Sequence, residues 1–186
     1  MIRWRLLFLG VGMTALAGLI IELALTRLFS VLLYYHFAFM AISVALLGLG
    51  AGGLSSYWIV GNRPLERLWP RLSQLAAANA LITVAVLAVV LRMKVSLTTT
   101  PSTLVALAVI YVSSAVPFFF SGVILSVLLA RTVDQAGTVY FADLTGASAG
   151  GLLLVPLLNW LGGPNTLLFA AVVWAASAAL WSALGG

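Results

Sequence analysis

At 186 residues, 63% hydrophobic and 7% charged, the chain lacks the polar surface of a soluble domain, where about a quarter of residues carry charge. Its net charge of +5 comes from nine Lys and Arg residues spread over short connections, which excludes the clustered basic face of a nucleic-acid binder. With no cysteine, one histidine and four carboxylates, disulfide and thiolate chemistry are excluded, and neither a metal site nor a cofactor is expected.

In chain order, Arg3-Trp4-Arg5 and the apolar run after them resemble a secretion signal. The run is too long and no small-x-small cleavage site follows, so an uncleaved first span is expected. That span is predicted from Leu6 to about Phe29, and a second from about His36 to Val60, with an apolar turn between them. Gly61 to Arg71 holds two prolines, three arginines and Glu66, and is expected to be a loop. The third span covers Gln74 to Leu91, followed by a polar connection from Arg92 to Pro101. The fourth, Leu104 to Ala130, is longer than a bilayer requires. It contains Pro117, which predicts a kink or tilt because proline removes one helical hydrogen bond. A short polar loop, Arg131 to Thr138, leads to the fifth span, Val139 to Leu161. Gly162-Gly163-Pro164 makes a tight turn into the sixth, Asn165 to Leu184. The expected architecture is a single all-α, polytopic membrane domain of six transmembrane helices over residues 1–186.

The loops set the orientation. With the N-terminus inside, Arg3, Arg5, Arg63, Arg67, Arg71 and Arg131 collect on the cytoplasmic side, leaving Arg92 and Lys94 outside. An even number of spans then returns the C-terminus to the cytoplasm. Trp4, Trp58, Trp69 and Trp160 fall near predicted helix ends, where indoles favour the headgroup layer, while Trp174 is expected to pack or face lipid.

Glu22, Arg27, His36 and Asp143 are the costly residues of the spans, since lipid penalises each unless it is paired or hydrated. At ~1.5 Å per residue, Glu22 falls about 25 Å past Arg5, in the outer half, whereas Asp143 opens the fifth span in the inner half. The two carboxylates are therefore not expected to share a site. One reading pairs Glu22 with Arg27 or His36, and Asp143 with Arg131 or a helix end. The other lines a polar path for a proton or small cation. Gly48-Leu49-Gly50-Ala51-Gly52-Gly53 matches a dinucleotide-binding pattern, but it lies within a span and follows no strand. Gly48/Gly52 and Gly146/Gly150 are expected instead to be close-packing surfaces between helices.

The two halves share features in the same order. Gly18 and Arg27 have the spacing of Gly122 and Arg131, and Ala51-Gly52-Gly53-Leu54 recurs as Ala149-Gly150-Gly151-Leu152. Related helices three spans apart have opposite orientations, the pattern of two inverted three-helix repeats.

The stretches Gly18 to Ser30, Tyr35 to Phe39, Leu46 to Gly53, Pro117 to Gly122 and Tyr140 to Ala147 together resemble the membrane domain of bacterial membrane-bound spermidine-synthase-like proteins, over essentially the whole chain. That resemblance implies half of a major-facilitator-like fold in the bacterial inner membrane, with a cytoplasmic aminopropyltransferase-like domain as a partner at the C-terminal end. No strand-associated glycine loop for decarboxylated S-adenosylmethionine and no acidic pair for a polyamine are found, so the synthase activity does not carry over and no enzyme is expected. Two functions remain open. One is a transporter-like module for a small cationic, polyamine-like solute, with Glu22 and Asp143 as half-sites. The other is an accessory or scaffold subunit that sets its glycine-rich faces against a larger membrane complex or a second copy of itself.

Overall fold

A computed structural model describes residues 3–33, 37–61, 63–93 and 100–185, so His36 and Lys94 lie outside the described residues. All regular structure among the described residues is helical. Among the described residues, five helices are long and apolar enough to cross a membrane. They are α1 (Trp4–Leu32), α2 (Ala38–Val60), α3 (Trp69–Arg92), α4 (Pro101–Arg131) and α5 (Ala136–Gly185), with short 3-10 turns at Leu65–Arg67 and Val133–Gln135.

The helices outrun the apolar stretches predicted for them. α3 begins at Trp69, inside the expected loop, because Pro70 suits the first helical turn, where its missing N–H has no partner to lose. α4 starts at Pro101 for the same reason, and the Thr100 hydroxyl accepts from the Thr103 amide at 3.3 Å. It then runs without interruption through Pro117. The expected loop from Arg131 to Thr138 is also mostly helical, since α5 is under way by Ala136.

The predicted fifth and sixth spans fall within the 50 residues of α5, which is broken at Gly162 (φ +75°, ψ +168°). This backbone region is nearly closed to residues with a Cβ. Neighbours along α1 show what the break does. Before it, Gly146 meets Gly12, Gly150 meets Leu16 and Gly151 meets Leu19, so the first limb runs parallel to α1. After it, Gly163 lies against Leu28, Ser177 bonds Thr14 at 3.0 Å and Trp181 covers Gly10, so the second limb runs antiparallel.

Two tight parallel pairs organise the rest. In α1 with the first limb of α5, a Cβ on Gly146 would collide with the Gly12 carbonyl, and one on Gly150 would lie 2.8 Å from the Leu16 carbonyl oxygen. In α2 with α4, Gly52 abuts the Phe119 carbonyl and Gly122 the Leu49 carbonyl, while a Cβ on Gly48 would lie 2.6 Å from that of Phe118. A Ser56–Ser126 hydroxyl contact at 3.1 Å continues that seam. The four expected packing glycines thus work in pairs inside the chain.

α3 closes the bundle. Its Ser73 hydroxyl donates to the Ala178 carbonyl at 2.8 Å, and its Asn79 amide donates to the Pro117 carbonyl at 3.0 Å. Trp69 corrects an expectation: it is buried and stacked on Trp181 at 6.3 Å, not held at an interface. Trp174 is fully buried, whereas Trp58 and Trp160 are among the most exposed side chains, as lipid-facing or headgroup-level indoles should be.

Gly52→Ala and Gly146→Ala each force a methyl into backbone. At an overpacking cost of about 1–3 kcal/mol, a thermal scan in detergent should show melting lowered by roughly 5 °C or more. Gly53→Ala is the matched control, because a Cβ there meets nothing within 4 Å. Wild-type melting of Gly146→Ala would contradict the α1–α5 pairing.

Candidate functional site

Where the two tight pairs meet, a cleft of about 160 Å³ opens, lined by all four of their helices. α1 contributes Thr14, Gly18 and Glu22 at four-residue intervals, one face of the helix. α4 supplies Phe118 and Ser121, α2 supplies Leu49, and the first limb of α5 supplies Asp143 and Ala147. Gly18 keeps the α1 wall open, since a Cβ there would first meet the Ser121 hydroxyl at 3.8 Å.

This corrects the expectation that Glu22 and Asp143 occupy separate sites. The glycine contacts do place them at different depths, with Asp143 near the level of Gly12 and Glu22 roughly 15 Å further along at ~1.5 Å per residue. The cleft nevertheless runs between them, so both half-buried carboxylates line one cavity. Counting along separate helices gives depth. It does not show that α1 and α5 lie side by side, which is what joins the two levels.

The Glu22–Arg27 and Asp143–Arg131 pairs are not formed: among the described residues no cation lies within pairing distance of either carboxylate. Arg131 instead donates to the Gly61 carbonyl at 2.7 Å, and Arg71 donates to the Ile59 carbonyl at 3.1 Å. Both arginines thus satisfy carbonyls at the C-terminal end of α2, where unpartnered acceptors and the negative end of the helix dipole favour cations. Arg27 lies away from the cleft, in a groove with Asn159. His36 is outside the described residues. No group of three His, Asp or Glu residues is gathered for a metal among the described residues.

The hydroxyls lining the cleft are already committed as donors. Thr14 donates to the Gly10 carbonyl at 2.8 Å, and Ser121 to the Pro117 carbonyl at 3.1 Å. Each hydroxyl has one proton, so what remains for the cleft is oxygen lone pairs. Two carboxylates and two acceptor oxygens, with no Lys or Arg in the lining, make a lining suited to a cation or a proton.

Sequence reading alone does not single out Thr14, Ser121 or Asn79. The spacing of Thr14, Gly18 and Glu22 carries the only legible signal, a polar and small face inside an apolar helix. Comparison of the chain with family models, with curated proteins and with solved structures gives no match.

A hydrated cleft should admit water-soluble thiol reagents, and the cysteine-free chain is a ready background for single substitutions. Ser121→Cys and Ala147→Cys should react with a charged methanethiosulfonate far faster than Leu152→Cys, an 80% exposed apolar position on the outer face of the bundle. Equal, negligible rates at all three positions would show the cleft to be dry.

Proposed function

We propose that the chain is a non-catalytic module of the bacterial inner membrane that crosses the bilayer six times, with both termini cytoplasmic, and passes a small cationic solute along the seam between its two helix pairs. The observation that carries this reading is the convergence of Glu22 and Asp143, unpaired among the described residues, on one cleft whose other polar atoms are acceptors. Intramembrane charge without a partner is a cost that a functional site repays.

The reversal at Gly162 supports six crossings, because α5 as one straight rod would span ~75 Å against a hydrocarbon core of ~30 Å. Two inverted three-helix repeats are supported by matched contacts. Gly48 and Gly52 of α2 rest on successive turns of α4, and their counterparts Gly146 and Gly150 rest on successive turns of α1. In that scheme α1 corresponds to α4 and α2 to the first limb of α5, so each tight pair is the image of the other. The cleft then sits at the repeat interface near mid-membrane, where transporters of this kind place their substrates.

The resemblance to spermidine-synthase-like membrane domains favours a polyamine-like cargo. A linear polycation also suits two carboxylates set at different depths. As half of a major-facilitator-like fold, the module would work as a homodimer or beside a synthase-like cytoplasmic domain. The scaffold reading is less favoured, since Gly48, Gly52, Gly146 and Gly150 meet backbone within the chain.

Uptake of labelled spermidine into proteoliposomes tests the proposal. Glu22→Gln and Asp143→Asn should each abolish flux while helicity and melting stay near wild type. Flux that survives both substitutions would end the half-site reading. A reporter fused to the C-terminus should register on the cytoplasmic side, and a periplasmic signal would overturn the topology.

A further inference from the structure

Arg27 is an arginine near the end of a membrane-spanning helix, and among the described residues its guanidinium has no partner. The only carboxylate near it on α1 is Glu22, five residues back and about 140° round the helix at ~3.6 residues per turn. Arg27 opens into a groove of about 520 Å³ walled by Val155, Leu158, Asn159 and Gly163 of α5. The groove therefore combines a fixed cation, one amide and an apolar wall.

Its height in the bilayer decides what belongs there. α1 begins at Trp4, and Arg27 lies roughly 35 Å along it. That distance passes the ~30 Å hydrocarbon core and reaches the headgroup layer. Trp160, 84% exposed and adjacent to Asn159, sits at the same level, as does the reversal at Gly162.

We propose that this groove is a binding site for the phosphodiester headgroup of an anionic phospholipid. The Arg27 fork holds the phosphate oxygens, the Asn159 amide donates to the headgroup, and an acyl chain lies against Val155 and Leu158. A guanidinium matches phosphate oxygens bidentately, and an anion there supplies the counter-charge that no described residue provides. Free inorganic phosphate would satisfy the guanidinium equally well, but it has no use for the apolar wall. The site is independent of the Glu22–Asp143 cleft.

Native mass spectrometry of the full chain in detergent, titrated with phosphatidylglycerol, tests the assignment. Wild type should retain one lipid, Arg27→Gln should bind it about tenfold more weakly, and Arg27→Lys should fall between, keeping charge but losing the fork. Asn159→Ala, on the other helix, should cost a few-fold and guards against an Arg27 variant that fails to fold. Millimolar inorganic phosphate should not displace the lipid. Undiminished lipid binding by both Arg27→Gln and Asn159→Ala would overturn the site, and displacement by phosphate alone would overturn the lipid assignment.

Discussion

The structure depends on backbone meeting backbone at glycine. In lipid there is no hydrophobic gain from helix association, so contact energy has to come from close packing and interhelical hydrogen bonds. Gly146 against Gly12 and Gly52 against Phe119 let main chains approach to a distance any side chain would forbid. Each contact locks two parallel helices into a pair. Once the pairs are fixed, their seam is fixed too, and the seam is where shape complementarity runs out. The cleft is thus a consequence of how the glycines are distributed.

Polar groups elsewhere in the bundle are spent on holding helices in place. Thr14 with Ser177, Ser73 with Ala178 and Asn79 with Pro117 each tie one helix to another. Arg71 and Arg131 close the carbonyl end of α2. Against that background Glu22, Asp143 and Arg27 differ in kind, because none of them has an internal ion-pair partner among the described residues. The two acids face the seam between pairs, and the base lines a separate groove against α5. Acids and base are directed to different surroundings and are not paired with one another.

Much of this fold is legible in the sequence, for a physical reason. A bilayer fixes the length and composition of each span, so apolar stretches report helices directly. The boundaries are less legible, because prolines at Pro70 and Pro101 start helices inside segments whose composition suggests loops. Gly48, Gly52, Gly146 and Gly150 are readable as packing positions, but not whose backbone they meet. Pairing between distant spans is a property of the assembled bundle. For the same reason the depths of Glu22 and Asp143 are readable, while their meeting in one cleft is not. Trp69 shows the limit from the other side: near a helix end it looks interfacial, yet Trp181 buries it.

The proposed repeat sharpens what the two carboxylates are for. Under the correspondence that aligns Gly18 with Gly122, Glu22 falls opposite Ser126. Under the one that aligns Gly52 with Gly150, Asp143 falls opposite Ala45. The glycines that build the pairs are therefore duplicated, and the acids are not. Ser126 shows what the scaffold alone asks of such a position, a hydroxyl bonded to Ser56 across its own pair. A residue kept only to hold two helices together would be expected in both halves, since both halves have the same pair to hold. Acids present in one copy each, on opposite walls of one cleft, lie outside that structural requirement, and this asymmetry distinguishes the site from the framework that supports it.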